Sequence, residues 1–369
     1  MEIYIIIHVL VFLTLIFELA PLKVKKSIII GWCIFFTLFG GLRWRIGGDW
    51  DQYYDHFVFS SWSNIFNYDR YGNGEETLEP GFVFFNVLIK TIFGKFYIYN
   101  LIVVGFIQFT YYKFCNYFFP KNPLFCYCFL MVAVANYFPV RAGFSVGISY
   151  WCWKFIKEQK LIPFLIVIFF ASIIHNKSIV LLPCYWLGKV RLKSLWLLIL
   201  YPIIAIASYK LQDWFTILSL SFGGSIAEKA YKFSQVETEG FAGASYFGWV
   251  LNYFFLCIYL YIRKKEKLFS NNWYNVLLNS VMIYNAIFMI FSNGMGDLAR
   301  LSTNFFPVQC ILLLKSVLYF AKSKNHLISC LAIFFFLSYY IYKLPSNWNG
   351  YFFKDACVPY KTIFDYNLR

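Results

Sequence analysis

The amino-acid sequence predicts an all-α polytopic protein that crosses a membrane about twelve times. Of its 369 residues, 60% are hydrophobic and only 14% are charged, an apolar surplus too large for a soluble core of this length. The net charge of +15 lies in short lysine and arginine clusters between the apolar runs. This distribution is typical of membrane topology, and it excludes a continuous nucleic-acid-binding face.

The helices are predicted from apolar runs, and their orientation from the basic clusters, which we expect in the cytoplasm. The runs cover residues 2–20, 27–42, 81–93, 97–114, 123–139, 142–157, 161–174, 177–189, 193–211, 246–263, 273–292, 303–320 and 327–343. The clusters lie at 23–26, 113–121, 154–160, 189–193, 263–267 and 322–324.

One of these runs must fail to cross if every basic cluster is inside. We select 81–93, because this short run rises only about 20 Å against a hydrocarbon core of about 30 Å. It also carries Asn86 and Lys90. We therefore expect a re-entrant or interfacial helix there, within a single membrane domain that covers 1–369. The predicted external parts are the loops 43–80 and 212–245 and the tail 344–369.

The most polar stretch beside an apolar run is GLRWRIGGDWDQYYDHF. Arg43 and Arg45 could pair bidentately with diphosphate oxygens, and the backbone N–H groups around Gly47 and Gly48 could approach a phosphate closely. Asp49 could orient an arginine or act as a base. The alternative for Arg43 is a membrane anchor whose charged end reaches the interface.

Three more predicted external segments carry polar residues. Arg141 has no acidic neighbour in the sequence, and an unpaired arginine at membrane depth is costly, which favours a functional role. His175 lies between two short runs and is either an interfacial residue or a catalyst. Asp297 and Arg300 are spaced to pair with each other, or Arg300 adds a further cation.

No metal site and no cofactor are predicted. The ten cysteines lack the paired spacing of a zinc or redox motif, and the four histidines lack a metal-ligand spacing.

With these residues laid out, the chain resembles the EpsG family of bacterial surface-polysaccharide polymerases, which are O-antigen polymerases of the Wzy type. The matching segments are GLRWRIGGDWDQYYDHF, EPGFVFFNVLIK, the stretch from VRAGFSVG to IIHNKSIVLLPCYWL, RLSTNFF and VPYKTIF. Two positions depart from the family: Ala142 stands where glutamine is usual, and Gly48 stands where threonine or valine is frequent.

The resemblance implies a multi-pass protein of the bacterial inner membrane, similar to glycosyltransferases of the GT-C class. It implies that oligosaccharide repeats linked to polyprenyl (undecaprenyl) diphosphate are joined on the periplasmic face, in lipopolysaccharide or exopolysaccharide biosynthesis. An acceptor sugar hydroxyl displaces polyprenyl diphosphate, without a nucleotide sugar. The implied partners are donor and acceptor repeats, membrane lipid, and a flippase and chain-length regulator of the same pathway, with no nucleic acid.

On this hypothesis Arg141 and Arg300 hold the donor diphosphate, while Arg43 and Arg45 hold either diphosphate. Asp49 is the first choice for the general base and His175 the second. The predicted substrate-binding set is completed by Gly47, Gly48, Tyr53, Glu79 and Asp297.

Three other classes stay open at this point. A flippase or exporter would move the same lipid without chemistry, and an acyltransferase would centre on His175. A scaffold would leave each arginine individually dispensable.

Overall fold

The computed structural model describes residues 2–70, 72, 77–134, 137–222, 242–292, 296–348 and 356–365. Over these residues all regular elements are helices, accompanied by two isolated β-bridges. The chain divides into two compact units, where the sequence analysis expects one membrane domain. The first unit comprises Met1–Phe155, Ile162–Ile179 and Phe320–Arg369, and the second comprises Ile156–Leu161 and Val180–Tyr319.

The α-helices are numbered along the chain. They are α1 (Glu2–Leu13), α2 (Leu22–Gly41), α3 (Trp50–Phe59), α4 (Pro80–Phe93), α5 (Phe96–Phe118), α6 (Pro123–Val134), α7 (Arg141–Lys157), α8 (Leu161–Ile174), α9 (Ser194–Phe222), α10 (Ala242–Lys265), α11 (Asn272–Phe291), α12 (Gly296–Ala299), α13 (Phe306–Ala321) and α14 (His326–Trp348). Short 3₁₀ helices cover Thr14–Leu19, Trp62–Asn64, Asn176–Tyr185, Leu187–Lys189, Leu268–Ser270 and Arg300–Phe305.

Three helical segments of the described residues are long and apolar enough to cross a membrane: Glu2–Leu19, Asn272–Phe291 and Arg300–Ala321. Several other apolar helices are shorter, among them α4 and α8. The all-helical architecture is thus confirmed for the described part of the chain. The count of about twelve spans and the GT-C-like arrangement stay predictions.

Helices α2 and α5 of the first unit lie side by side in opposite directions. Near one end, a Cβ atom on Gly41 would collide with Leu101, and further along, the Cys33 thiol lies 3.5 Å from the Gln108 carbonyl. Residues 42–95 therefore leave and rejoin this helix pair at the same end. This geometry supports the prediction that α4, which lies between them, does not cross.

At the opposite end of the α2–α5 pair, two predicted cytoplasmic clusters meet. Lys25 Nζ lies 3.0 Å from Glu18 Oε1 and donates to the Lys121 carbonyl at 2.9 Å. Glu18 also accepts from the Asn122 amide and from the backbone N–H of Phe125, in the first turn of α6. Residues 23–26 and 121 consequently lie at one level, as the positive-inside rule requires.

The second unit shows an equivalent contact between two basic clusters. Arg263 Nη2 donates to the carbonyl of Leu192 at 2.8 Å. In the same unit the Asn279 amide of α11 donates to the carbonyls of Leu187 and Val190, both at 2.9 Å. These bonds hold the segment 187–192 against α11 and the end of α10.

The structure differs from the predicted elements in several places. Helix α3 lies within the predicted loop 43–80, and α14 continues to Trp348, into the predicted tail 344–369. The run 177–189 is built from 3₁₀ helices rather than an α-helix, with Pro183 inside the first of them. Helix α9 continues to Phe222, so it includes the first part of the predicted loop 212–245. Residues 223–241 of that loop lie outside the described residues.

Candidate functional site

Glu79 lies at the first turn of α4, and the local sequence EPG explains its position. Its backbone is extended at the N-cap, and Pro80 follows at the first helical position, where its missing N–H costs nothing. The side chain does not cap its own helix. It is therefore free to bind groups from other elements.

Three groups from two other segments bind the Glu79 carboxylate. His175 Nδ1 lies 2.8 Å from Oε1, and Arg141 Nη1 lies 3.0 Å from Oε2. The backbone N–H of Asn176 donates to Oε1 at 3.2 Å. The side chains of Glu79, Arg141 and His175 are 14%, 9% and 10% exposed, so the cluster is largely shielded from water. We call these three residues the Glu79 cluster.

Gly81 allows α4 to reach α8 closely enough for this cluster to form. A Cβ atom at Gly81 would lie 2.7 Å from the carbonyl oxygen of Ile173, two residues before His175. Backbone atoms cannot rotate away as a flexible side chain would. Any larger residue at Gly81 must therefore separate the start of α4 from the His175 turn.

The first turns of α7 hold the cluster from the other side. Arg141 is the first residue of α7, and Ser145 follows one turn later on the same face. Ser145 Oγ donates to the carbonyl of Ala171 at 2.7 Å and lies 2.6 Å from Ser178 Oγ. One helix therefore supplies the guanidinium and also fixes the turn that carries His175.

The charges in the cluster follow from these contacts. Burial alone would raise the pKa of Glu79, but the hydrogen bond from His175 and the charge of Arg141 outweigh it and lower that pKa to about 2. Burial also lowers the pKa of His175 despite the hydrogen bond to Glu79. Near neutral pH the cluster thus contains an ionised carboxylate, a neutral imidazole and a guanidinium.

In this state the imidazole has a defined orientation. Because ionised Glu79 can only accept, His175 must donate through Nδ1. Its Nε2 is then an acceptor, and it has no hydrogen-bond partner among the described residues. This is the arrangement of a general base held by a carboxylate.

Tyr53 and His56 of α3 lie close to the cluster. Burial raises the pKa of Tyr53, an effect opposed by the charge of Arg141 and reinforced by Asp49. Burial lowers the pKa of His56 to about 4, and Arg70 and Arg141 lower it further. The substrate-binding role of Tyr53 stays a prediction, and the sequence analysis assigned no role to His56.

Arg43 does not reach the surface, which removes the explanation of a side chain that extends to the interface. It is 1% exposed, and burial lowers its pKa to about 10. Nη1 donates to the carbonyl of Gly40 at 2.6 Å, Nη2 lies 3.4 Å from Asn100 Oδ1, and the guanidinium lies over the ring of Phe138. Among the described residues no carboxylate pairs with it.

Arg45 and Asp49, by contrast, lie on the surface. The Arg45 side chain is 67% exposed and pairs with Asp51 at 3.2 Å. Asp49 is exposed at the start of α3 and makes no side-chain cap bond. Arg43 and Arg45 therefore point in different directions and form no joint guanidinium pair.

The glycine pair between them shapes the turn. Gly47 has φ +106°, a conformation that favours glycine, and its N–H donates to the carbonyl of Ala356 at 2.9 Å. At Gly48, nothing lies within 4 Å of the place that a Cβ atom would occupy, so space remains beside it. Beside Gly47 the nearest atom is Phe138 Cβ at 3.9 Å, so both glycines leave space, but the Gly47 N–H is already bonded to Ala356.

Residues 356–365, which we call the C-terminal strap, cover this turn. Thr362 forms an antiparallel bridge with Arg43, and the N–H of Trp44 donates to the carbonyl of Lys361 at 3.0 Å. The ring of Tyr360 stacks on Phe39 at 4.3 Å. The strap contains the VPYKTIF segment noted in the sequence and fixes the backbone that carries Arg43.

Two predicted site residues belong to the second unit. Arg300 is exposed and begins a 3₁₀ helix, while the side chain of Asp297 lies outside the described residues. Their predicted pairing, and the joint role of Arg300 with Arg141, stay predictions. No group of three His, Cys, Asp or Glu side chains that could hold a metal ion occurs in the described residues.

The chain combines apolar helices with a carboxylate, a histidine and an arginine that are shielded from water at helix ends. This combination is typical of the class of membrane proteins that carry a polar site at the ends of their helices. The sequence model of the EpsG family matches residues 26–362, nearly the whole chain. The protein belongs to the EpsG family, which is associated with polysaccharide polymerase-like membrane proteins. The resemblance is thereby confirmed. No curated protein and no solved structure matches the chain.

Proposed function

We propose that this protein is a glycosyltransferase that polymerises oligosaccharide repeats linked to polyprenyl diphosphate. One observation carries the proposal: a single carboxylate, Glu79, binds both a neutral histidine and an arginine. A base and a cation are the two groups that transfer of a sugar from a diphosphate requires. Family membership supports the same role in surface-polysaccharide synthesis.

In the proposed reaction, the acceptor hydroxyl oxygen bonds to the anomeric carbon of the donor sugar. The bond from that carbon to the diphosphate oxygen breaks, and polyprenyl diphosphate leaves with the electron pair. His175 Nε2 takes the hydroxyl proton. Glu79 stabilises the imidazolium that forms and keeps Nδ1 protonated throughout.

Arg141 is the proposed cation for the leaving diphosphate. Nη1 is bound to Glu79, while Nε is buried and has no hydrogen-bond partner in the described residues. Arg141 also begins α7, whose N-terminal N–H groups favour a bound anion. Negative charge grows on the leaving oxygen during the reaction, so a cation fixed in advance lowers the barrier.

The structure favours His175 over Asp49 as the base. Asp49 is exposed and makes no side-chain cap bond, whereas His175 is buried and oriented by a carboxylate. We assign Arg43 a structural role at the end of α2, because it is 1% exposed and its Nη1 and Nη2 contact Gly40 and Asn100, while its Nε, like that of Arg141, is buried without a hydrogen-bond partner in the described residues. Arg45 and Gly48 remain the accessible groups for a second diphosphate.

The proposed setting is the bacterial inner membrane, with the Glu79 cluster on the periplasmic face. Both loop parity and the α2–α5 pairing support that face, since the basic clusters gather at the opposite end. Undecaprenyl-linked donor and acceptor repeats, a flippase and a chain-length regulator are the proposed partners. A GT-C-like arrangement of the helices is part of the same proposal.

The test uses purified full-length protein and lipid-linked single repeats extracted from a polymerase-deficient strain. We expect the unaltered chain to give a ladder of polymer lengths on a gel. His175→Gln and Arg141→Gln should each lower the rate about 10²-fold or more, because base and cation contributions are of that order. The matched controls are His326→Gln and Arg191→Gln, both at exposed positions.

Three results would contradict the proposal. Unaltered protein that moves the lipid-linked repeat across a vesicle membrane without lengthening it would be a flippase. Transfer of an acyl group in place of a sugar would identify an acyltransferase. A full ladder from both site variants would exclude the assigned residues.

A further inference from the structure

A polar cavity lies beside the Glu79 cluster, between α3 and the residues that follow it. Its volume is about 430 Å³, within the range of ligand sites in proteins. The side chains that define its chemistry are Gln52, Asp55, His56, Asn67, Tyr68 and Arg70. The Glu79 cluster does not contribute to its walls, so the cavity is a separate feature.

His56 forms part of the wall of the cavity. The residue is 4% exposed, and its Nδ1 lies 3.3 Å from the Tyr68 hydroxyl. Its Nε2 is buried without a hydrogen-bond partner in the described residues. Because Nε2 is not exposed to the cavity, His56 acts on the wall through its contact with Tyr68 and not as a direct ligand.

The side chains around the cavity suit a neutral ligand with many hydroxyl groups. Amides donate to and accept from hydroxyls, carboxylates accept from them, and the rings of Phe59 and Tyr68 offer apolar faces. Two carboxylates, Asp55 and Asp69, outnumber the one guanidinium of Arg70. This balance disfavours a phosphate, whereas a sugar ring needs both hydrogen bonds and an apolar surface.

A continuous set of contacts leads from the cavity to the Glu79 cluster. The ring of Tyr53 lies 5.9 Å from the ring of His56 and 5.8 Å from that of Phe82. Phe82 belongs to the first turn of α4, where its N–H donates to the Glu79 carbonyl at 3.0 Å. Only two ring contacts thus separate the cavity wall from the turn that positions His175.

We propose that this cavity is a saccharide subsite, which binds sugar rings of a lipid-linked repeat while its reacting end lies at the Glu79 cluster. This inference rests on the proposed function and adds the place where the oligosaccharide is held. Gln52 and Asn67 bind sugar hydroxyls at the rim, while His56 orients Tyr68 in the wall.

The test measures binding separately from polymerisation. The probe is the free oligosaccharide released from the lipid-linked repeat by mild acid, titrated into full-length protein in nanodiscs and followed by ligand-observed NMR. We expect Gln52→Ala and Asn67→Ala each to raise the Kd about threefold, the effect of one lost hydrogen bond at a solvent-facing rim, and His56→Phe to raise the Kd by displacing Tyr68 in the wall. Ser63→Ala, on an exposed side chain of the same segment, should leave the Kd unchanged.

The binding measurements test the subsite independently of polymerisation. Equal Kd values for all four variants and the unaltered protein, or no binding by the unaltered protein, would overturn it. The two rim variants keep the test valid if His56→Phe fails to fold. If the oligosaccharide binds in the cavity but the purified protein makes no polymer, the subsite stands and the polymerase proposal fails.

Discussion

Glu79 connects residues that are far apart in the chain through its two carboxylate oxygens. One oxygen fixes the tautomer of His175, and the other holds Arg141. Any change at Glu79 must therefore alter both a base and a cation. This double role makes the pH dependence of the reaction a sensitive measure of the cluster.

We expect the rate to fall as the pH decreases, because protonated His175 cannot accept a proton. Burial lowers the pKa of His175, so the inflexion of the rate should lie below its ordinary value of 6.5. Glu79→Gln removes the charge that favours the imidazolium, which should move the inflexion to lower pH and reduce the maximal rate about 10²-fold. The measurement is the initial rate of polymer formation over the range from weakly acidic to weakly basic pH.

Glu2→Gln, at an exposed position on α1, is the control for loss of a carboxylate. An inflexion at the same pH in Glu79→Gln and the unaltered enzyme would show that His175 is not the titrating base.

Arg43 and Arg45 should respond differently to the same substitution. Arg43→Gln leaves the Gly40 carbonyl without its guanidinium donor and should lower the free energy of unfolding by about 2 to 3 kcal/mol. Arg45→Gln removes an exposed ion pair and should change it by less than about 1 kcal/mol. The midpoint of thermal unfolding in one detergent compares the two, and equal shifts would contradict the structural role of Arg43.

The sequence drew attention to the residues of the Glu79 cluster, whose role stays a prediction, but not to how they pair. Arg141, His175 and Glu79 attracted attention because polar groups are costly beside apolar runs. Glu79 and His175 are 96 positions apart, however, and no periodicity relates them. Burial could not be predicted either, so exposed Asp49 was preferred to His175, and Arg43 was grouped with Arg45.

The position at which helix α4 begins determines what the helix contributes to the site. The EPG sequence brings Glu79 to the His175 turn because Gly81 packs directly against the backbone of Ile173. At its other end, Lys90 Nζ donates to the carbonyls of Val58 and Ser60, both at 2.6 Å. Both ends of this 14-residue helix thus contact segments next to the site.

Gly81→Ala should separate these segments. The added methyl group would displace the backbone at Ile173, at a cost of about 1 to 3 kcal/mol in the free energy of unfolding. Polymer formation should fall at least tenfold, because His175 loses its carboxylate partner. A gel of the product and a thermal unfolding curve measure the two effects.

Gly31→Ala is the matched control, since nothing lies within 4 Å of a Cβ atom there and alanine favours a helix. Full activity of Gly81→Ala would contradict the proposed close packing of α4 and α8.

Most helices could be predicted because a run of apolar residues is the main signal of a membrane helix. The same signal cannot distinguish α from 3₁₀ geometry, and for this reason the run 177–189 was expected as an α-helix. The end of α9 was placed too early, because polar residues such as Asp213 suggested a loop while the helix continues to Phe222. A hydropathy pattern indicates whether a segment lies in lipid or in water, but it does not show where the hydrogen-bonded backbone of a helix ends.

In each of the two units, two basic clusters meet within the described residues. Lys25 and Lys121 meet at one end of the first unit, opposite the end that carries Arg43 and the Glu79 cluster. Within the second unit, Arg263 meets the segment of Arg191. These contacts support the orientation predicted from basic clusters, in which 81–93 is a re-entrant or interfacial helix that does not cross.

Cysteine labelling tests this topology. A membrane-impermeant maleimide applied to spheroplasts should label Ser63→Cys and Lys95→Cys, because both ends of α4 are predicted outside. Ser270→Cys, beside the basic cluster 263–267, should react only after lysis. All three positions are exposed, and the unaltered chain gives the background from its own ten cysteines. Protection of Lys95→Cys in intact spheroplasts would show that α4 crosses.

The C-terminal strap has a consequence for the order in which the protein is made. Trp44 and Lys361 form a backbone bond although they lie at opposite ends of the chain, so the turn that carries Arg43 and Gly47 is covered only after nearly all helices have been inserted. During synthesis the turn therefore stays uncovered until the C-terminal strap has been made. A completely packed turn thus indicates that the chain has been inserted as far as the strap.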